Sequence, residues 1–317
     1  MLPLLQTNGT AAKRLFLLYK AKPLKWAKID RRTQGKKPTH LIIGIGQIHP
    51  VLRGRFEAFQ ARRIANIQAW IFHLCRYLAD QEGVLCFGKE GFGSADGKPV
   101  IAKLALPHIK ELQSALHRTG SPERLLRVSA TDWRRSLHRR DANGIRHAIR
   151  SLDALSVLQA INERVTIFPL ERTMVHAAIH TKIDDVQKRI GNIEHSQVFL
   201  SGKSKGGKAL SRQEVNAFLE RNDLVRSFNN LLTDPERDRS IFDAVLSRSL
   251  QSEVTAFVLG QGHRQSMLSL ARKHLPADTI FIWITPPQLW LWRAVLQWLG
   301  WTLLSCALAT LALLGLR

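Results

Sequence analysis

The alternation of short apolar runs with longer helical patterns restricts the fold of this chain more than any other feature. The short runs are rich in Ile, Val, Leu and Phe, as buried strands are. Strands that are apolar on both faces are typical of a parallel sheet between two layers of helices. The sequence therefore predicts an α/β fold with a mostly parallel sheet covered by helices on both faces. The predicted strands are residues 41–45, 83–88, 164–171, 254–260 and 279–285, with a weaker candidate at residues 124–130.

The helical patterns show apolar residues at spacings of three and four. They cover residues 54–79, 107–118, 132–163, 173–191, 211–232 and 234–250. Two of them begin with N-cap signals: Ser211 forms a capping box with Glu214, and Asp234 precedes Pro235. The α/β domain that these elements form is expected to span residues 38–287.

The C-terminal region carries an uncharged apolar run of 23 residues, from position 294 to position 316. A helix of this length extends about 35 Å, which is enough to span a bilayer core. Four tryptophans cluster at its N-terminal end, where interfacial aromatic belts occur: Trp290, Trp292, Trp298 and Trp301. Residues 290–317 are therefore expected to form one C-terminal transmembrane anchor, and a buried core helix is the alternative.

The flanks of this run predict its orientation. The N-terminal sequence lacks the basic start, sustained apolar stretch and cleavage site of a signal peptide. The residues before the run are basic, which favours the cytoplasmic side for the large domain. The chain is therefore expected to be a single-pass membrane protein with its globular domain in the cytoplasm. Its three cysteines show no disulfide framework, which is compatible with that compartment.

The net charge of +22 is concentrated in two regions, residues 1–40 and residues 118–150. The first holds ten Lys or Arg and one acidic residue, and residues 1–37 are interpreted as a basic N-terminal arm, with a short helix as one form that part of it can take. Such clusters fit anionic membrane lipids or nucleic acid. Lipids are favoured because the same chain carries a predicted membrane span. No zinc-finger or RNA-binding motif supports nucleic acid.

Four predicted strands are followed by a histidine or a glutamate. His49 and His263 each end a Gly-Gln-x-His sequence, and Glu90 and Glu171 lie at the ends of two other strands. In a parallel sheet, binding sites form beyond the carboxyl ends of the strands. Two imidazoles and two carboxylates in that place are suited to bind a metal or to act as general bases. The alternative is that each is an ordinary polar residue of a surface loop.

Two further features accompany these strand ends. Gly46 and Gly260 precede the histidines by three residues and are expected to let the chain turn sharply as it leaves the sheet. Arg237 lies in the first turn of a predicted helix, where the helix dipole favours acidic residues. An arginine in that place is suited to hold a carboxylate or an anionic substrate group. The alternative is a solvated arginine among other charged residues.

The ordered set of motifs resembles the TraB/Tiki superfamily, which includes ChaN-like and erythromycin-esterase-like proteins. The first GxxH motif of that pattern is Gly-Gln-Ile-His at residues 46–49, and the second is Gly-Gln-Gly-His at residues 260–263. The sequence ERDRSIFDAV resembles the helix that precedes the second motif in TraB-like proteins. Gln47 stands where ChaN-like and esterase-like members have an acid, which disfavours their activities. The resemblance covers residues 38–287.

The resemblance implies a hydrolase-like pocket, since some members are metal-dependent proteases and others have ester- or haem-related roles. By this resemblance, His49 and His263 would be ligands of a divalent metal ion, or bases. Glu90 and Glu171 would be metal ligands or water-activating acids, and Arg237 would orient them. Some TraB-like proteins are tail-anchored, which agrees with the predicted C-terminal span.

Two other patterns are weaker. Residues 202–209, GKSKGGKA, match the spacing of a phosphate loop, but Ala209 replaces the Ser or Thr that would hold Mg²⁺. This segment is interpreted as a flexible basic loop. His176 and His180 have the spacing of a metal-binding pair on one helix face, but no third ligand is near them in the sequence.

These observations leave three hypotheses. The first is a membrane-anchored hydrolase, resembling a metal-dependent peptidase, that acts on an unknown peptide or small molecule. The second is a non-catalytic membrane adaptor that binds a peptide or small ligand in the same pocket. The third is an anchored nucleic-acid binder. The hydrolase requires the strand-end residues to converge, whereas an adaptor needs only the fold and the anchor.

Overall fold

The structure is a computed structural model of the chain. It describes residues 10–48, 60–93, 106–139, 141–171, 173–204, 209–232 and 234–290. The strands within these residues are β1 (Lys28–Gln34), β2 (His40–Gln47), β3 (Cys86–Gly93), β4 (Thr166–Glu171), β5 (Val254–Gly260) and β6 (Thr279–Thr285). The α-helices are α1 (Thr10–Lys20), α2 (Ala61–Gln81), α3 (Leu106–Thr119), α4 (Pro122–Arg139), α5 (Ala142–Ser151), α6 (Ala154–Ile161), α7 (Thr173–Glu194), α8 (Gln197–Ser204), α9 (Arg212–Leu232), α10 (Pro235–Ser249) and α11 (Arg264–His274).

The strands form one mixed sheet in the order β1-β6-β2-β5-β3-β4. β1 runs antiparallel to β6, and the other neighbouring pairs are parallel. The predicted strands at residues 254–260 and 279–285 coincide with β5 and β6. The prediction of an α/β fold with a mostly parallel sheet is confirmed.

Alternate side chains of the central strands point into two separate cores. Ile43 and Val258 enter one core, which α1, α2, α4 and α6 complete. Phe257 and Trp283 enter the other, which α10 and α11 complete. The strands are apolar along their length because helices bury both faces of the sheet.

The weaker strand candidate at residues 124–130 is wrong, because these residues lie inside α4. The buried side chains of α4 recur at helical spacing: Leu125, Leu126, Ser129, Ala130 and Trp133. The run LLRV is apolar enough to suit a strand when it is taken alone. The helical period becomes visible only when the window extends to Trp133, which is fully buried.

Part of the segment interpreted as a basic N-terminal arm packs on the sheet. α1 buries Leu15 and Leu18 in the first core. β1 pairs along its whole length with β6 at the edge of the sheet. Arg14 of α1 forms an ion pair of 2.6 Å with Glu253, just before β5. These contacts attach residues 10–34 to the α/β domain.

The chain is described as far as Trp290, beyond the end of β6. The predicted membrane span, residues 294–316, lies outside the described residues. Among the helices that are described, none has both the length and the apolar character needed to cross a membrane.

Candidate functional site

Three neighbouring strands bring candidate residues to the carboxyl edge of the sheet. Glu171 is the last residue of β4, and Glu90 lies near the end of β3. β5 lies beside β3 and ends at Gly260, three residues before His263. Because β3, β4 and β5 are parallel neighbours, their ends meet at one place. The structure thus brings Glu90, Glu171 and His263 together, as their positions at the ends of predicted parallel strands indicate.

Arg237 joins the two glutamates. It is 4% exposed, and its Nη2 donates to Glu90 Oε1 at 2.7 Å and to Glu171 Oε1 at 2.6 Å. Asp234 caps α10 by accepting hydrogen bonds from the backbone N–H groups of residues 236 and 237, which fixes the turn that carries this arginine. The structure therefore places Arg237 in the interior between two carboxylates, and not on the solvated surface.

Glu90 occupies the centre of the cluster. In addition to the bond from Arg237, its Oε2 accepts a hydrogen bond of 2.9 Å from the backbone N–H of Gly260. Its Oε1 also lies 3.5 Å from Nε2 of His263. One side chain thus connects the end of β3 to α10, to the end of β5 and to the turn that follows β5.

His263 lies in the 3-10 turn Gln261–His263, immediately before α11, and is 4% exposed. Its Nδ1 forms a hydrogen bond with Oδ1 of Asp238, a residue that is fully buried. The two ring nitrogens of His263 therefore face two different carboxylates, Asp238 and Glu90.

Asp238 is a site residue that the sequence analysis missed. A signal for it exists in the sequence. The buried residues of α10 include Arg237, Asp238, Ile241, Phe242 and Val245, which form one stripe at helical spacing. Two charged residues on the same stripe as core residues require tertiary partners, because an isolated buried charge is strongly unfavourable. The helical period alone therefore predicts that Asp238 and Arg237 are buried together.

The charges of the cluster reinforce one another. Burial opposes the charged form of His263, but its hydrogen bonds to Asp238 and Glu90, together with their negative charges, raise the pKa of His263 to about 9. Burial likewise opposes the charge of Arg237, and the Glu90 and Glu171 carboxylates raise the pKa of this guanidinium. At neutral pH His263 is thus an imidazolium that carries a proton on each ring nitrogen.

A 3-10 turn follows Gly260 directly, but neither Gly46 nor Gly260 has a backbone conformation that requires glycine. Gly46 is paired within β2, and Gly260 has an extended backbone with φ −52° and ψ 136°. Gly46 instead makes room for a side chain of the second motif, because a Cβ at this position would overlap Oε1 of Gln261. Gln261 is held there by Trp283, whose Nε1 donates to Oε1 at 3.3 Å, and by Thr285, which accepts from Nε2 at 3.2 Å.

The first motif is described only in part. Gln47 is buried and pairs with Gly260 across the β2–β5 ladder. Its Oε1 accepts a hydrogen bond of 3.1 Å from Gln68 of α2, whose own Oε1 accepts from the backbone N–H of Ala154. Gln47 thus fastens the end of β2 to helices on the sheet face opposite α10. His49 lies outside the described residues.

The geometry bears on the expected metal site. In the described part of the chain, no group of three or more His, Cys, Asp and Glu side chains has an arrangement that could hold a metal ion. Glu90 and Glu171 both present their Oε1 atoms to the same nitrogen of Arg237. As arranged, these oxygens do not fit a shared metal position, and the metal dependence that the resemblance implies stays a prediction.

The two weaker patterns do not join the cluster in the described structure. A phosphate loop connects a strand to a helix, whereas residues 202–204 here belong to α8. Residues 205–208 lie outside the described residues. His176 and His180 are on α7, and their side chains are not described.

The cluster is an unusual concentration of buried charge at the edge of a parallel sheet. Arg237, His263 and the three carboxylates are each at most 10% exposed in their side chains. Buried ion networks seldom stabilise a fold more than apolar packing would, and perturbed pKa values gather at functional sites. These properties make the cluster the candidate active centre of the described chain. Comparison of the chain with protein-family models, with curated proteins and with solved structures gives no match.

Proposed function

We propose that the chain is a membrane-anchored hydrolase of the TraB/Tiki type, acting on a peptide or a small molecule through the cluster around Glu90. The observation that carries the proposal is the bonding pattern of this carboxylate. Glu90 contacts a guanidinium, a protonated imidazole and a strand-end amide within one buried cluster. Ligands of open α/β sheets bind at this edge, and hydrolysis needs an acid and a base close together.

The roles follow from charge and exposure. Glu90 is the proposed water-activating carboxylate, because its side chain is 10% exposed whereas that of Glu171 is 1% exposed. Arg237 holds Glu90 in place, and Glu171 fixes Arg237. His263 is the proposed general acid, because a pKa of about 9 leaves it protonated at neutral pH.

In the proposed step, Glu90 accepts a proton from water while the water oxygen forms a bond to the carbonyl carbon of the substrate. The bond from that carbon to the leaving nitrogen or oxygen then breaks, and His263 gives its Nε2 proton to the leaving atom. The proton held by Glu90 passes to the neutral imidazole, which lies 3.5 Å away, and restores the resting state. Atoms and charge balance without a further reactant.

The membrane anchor and the metal are parts of the same proposal. The uncharged run at residues 294–316 supports an anchor, and the basic clusters support a cytoplasmic domain near anionic lipids. A divalent metal ion stays an expectation from the resemblance, with His49 as a candidate ligand and His263 as a ligand only after its imidazolium has lost a proton. Arg237 supplies the positive charge that holds Glu90 and Glu171 in the described cluster.

The burial of the cluster favours one second candidate, a membrane adaptor. Side chains that are 1–10% exposed offer little surface to a reacting group. In an adaptor the ion network would fix the shape of the sheet edge, and a peptide or small ligand would bind against it. The adaptor and the hydrolase differ in whether substitutions at the cluster abolish turnover or only binding.

The test measures hydrolysis by the full chain in detergent micelles, with fluorescein-labelled casein and p-nitrophenyl esters as probes. Glu90→Gln and His263→Gln are expected to lower turnover about 100-fold or more, as loss of a general base or acid does. His274→Gln is the matched control, because His274 is exposed at the end of α11. Turnover that both cluster variants retain would exclude the proposed chemistry. Binding of casein without any turnover, in the parent and the variants alike, would select the adaptor.

A further inference from the structure

A surface near the N-terminus exposes large apolar side chains among lysines. Phe16 is 44% exposed, Leu17 is 54% exposed and Trp26 is 66% exposed. The ammonium of Lys20 lies 4.2 Å from the centre of the Phe16 ring, and that of Lys25 lies 5.9 Å from the Trp26 ring. We call these five residues the N-terminal patch.

The helix period of α1 separates the patch from the core. Leu15 and Leu18 are buried, whereas Phe16, Leu17 and Lys20 lie on the outward face at spacings of three and four. An outward face that alternates lysine with aromatic and aliphatic residues is typical of helices that lie in a membrane interface. The lysine stems cover apolar surface while their ammonium groups stay in water.

Trp26 has a strained backbone conformation. Its φ is 72°, in the left-handed region that bulky side chains seldom adopt. A strained residue persists only when its surroundings enforce it, and such residues gather at functional surfaces. Here the strained backbone presents a largely exposed indole. The carbonyl of Trp26 accepts a hydrogen bond of 3.0 Å from Nε1 of Trp290, the last described residue.

The positive charge of residues 10–29 favours an anionic partner. Residues 10–29 contain six Lys or Arg and no Asp or Glu. The Trp26–Trp290 contact joins the patch to the last described residue, which precedes the uncharged run at residues 294–316 by four positions in the sequence. The patch therefore contacts the part of the described chain that is closest in sequence to the predicted anchor.

We propose that the N-terminal patch docks on the surface of an anionic lipid bilayer. Phe16, Leu17 and Trp26 enter the interfacial layer, while Lys20 and Lys25 bind the phosphate groups of the lipids. This inference rests on the membrane anchor of the proposed function and gives the domain a defined orientation. Leu17 favours lipid over nucleic acid, because an aliphatic side chain gains from an apolar phase and offers no ring for a base to stack on.

The orientation of the docked domain determines where the cluster can bind its substrate. Lys28 at the start of β1 pairs with Thr285 at the carboxyl end of β6, so Trp26 lies at the carboxyl edge of the sheet. The cluster lies at the same edge, at the ends of β5, β3 and β4. Neighbouring strands lie about 4.8 Å apart, so the ends of β5, β3 and β4 lie about 10–20 Å along this edge from the end of β6. Docking through Trp26 therefore brings the edge that carries the cluster to the bilayer, and the substrate class is a peptide or ester presented at the membrane surface.

The experiment places an environment-sensitive NBD fluorophore on the full chain at Leu17→Cys, in a background where Cys75, Cys86 and Cys306 are replaced by Ala. Leu250→Cys is the matched control, because Leu250 is a leucine with 72% exposure that precedes β5 at the amino edge of the sheet, the edge opposite Trp26. Both proteins are reconstituted in phosphatidylcholine vesicles with and without phosphatidylglycerol. NBD emission and its quenching by nitroxide-labelled lipids are measured, and circular dichroism verifies the fold.

In anionic vesicles the probe at position 17 is expected to gain about twofold or more in intensity and to be quenched by the nitroxide lipids, with a smaller effect in neutral vesicles. The probe at position 250 should stay water-like in both. A water-like probe at position 17 in anionic vesicles overturns the proposal. An equal apolar signal in micelles and in all vesicles also overturns it, since the chain's own residues then cover the patch. A signal that duplex DNA produces without vesicles would assign the patch to nucleic acid.

The anchor is tested separately on the same samples, by the resistance of vesicle binding to alkaline extraction. In one outcome alkaline extraction removes the protein from the vesicles, and the signal at position 17 still depends on anionic lipid. That outcome contradicts the anchor and supports docking of the patch. In the other outcome the protein stays on the vesicles after extraction, and the probe at position 17 is water-like. That outcome contradicts docking of the patch and supports the anchor.

Discussion

Replacement of His263 is expected to change how stability depends on pH. The folded chain holds the His263 proton with a pKa of about 9, whereas the ordinary value is 6.5. One pKa unit corresponds to about 1.4 kcal/mol, so the raised pKa represents about 3 kcal/mol of stabilisation. His263→Gln removes this contribution and leaves Asp238 and Glu90 without the imidazolium that faces both.

The direction of the effect follows from proton binding. Below pH 6.5 the folded and unfolded states both carry the proton, and the stabilisation is fully present. Between pH 6.5 and about 9 only the folded state holds it, so the free energy of unfolding falls as the pH rises. Above about pH 9 both states are neutral and the contribution is lost. The stability difference between the parent and His263→Gln should therefore shrink by about 3 kcal/mol across this window.

Urea-induced unfolding of the full chain in detergent micelles, followed by tryptophan fluorescence at about pH 6, 7.5 and 10, measures this difference. His274→Gln at the exposed end of α11 is the matched control, and it is expected to follow the parent at each pH. A parent and a His263→Gln variant that lose stability in parallel across the window would refute the reasoning. In that case His263 does not carry an additional proton in the folded chain.

Three further predictions concern the same edge of the sheet. Arg237→Met should lower the free energy of unfolding by about 3–5 kcal/mol, because it removes the positive partner that two buried carboxylates share. The control Arg239→Met removes an exposed i,i+4 ion pair and should cost less than about 1 kcal/mol in the same urea titration. Gly46→Ala should cost about 1–3 kcal/mol through overlap with the Gln261 amide, and a second change, Gln261→Ala, should recover part of that loss; strictly additive costs would contradict the contact. If the expected divalent metal ion is required, chelation should abolish hydrolysis and added Zn²⁺ or Mn²⁺ should restore it, whereas turnover that survives chelation supports the metal-free step.

The convergence of the strand ends could be predicted because a parallel sheet leaves few alternatives. Once residues 83–88, 164–171 and 254–260 are recognised as parallel strands, Glu90, Glu171 and the chain leading to His263 must emerge at one edge. The strand order was not predictable in the same way. The insertion of β5 between β2 and β3 depends on packing between residues far apart in the chain.

Two features of the sequence depend on partners that lie far away in the chain. The explanation of Gly46 failed because the side chain that needs its space, that of Gln261, is 215 positions later in the sequence. The charge of residues 1–37 indicates a basic arm, whereas the apolar stripe of Leu15 and Leu18 packs α1 against the sheet. In both cases the local property is present in the structure, but the residues that contact it lie far away in the sequence.

A residue that contradicts a local rule is therefore the best guide to a distant partner. Arg237 lies in the first turn of α10 and His263 directly precedes α11, so both cations occupy helix N-termini that already carry partial positive charge. Neither position is favourable without nearby anions. Glu90, Glu171 and Asp238 supply them, because each of these buried carboxylates contacts Arg237 or His263. Contacts with both cations hold Glu90 in one position at the sheet edge, as its proposed role in activating water requires.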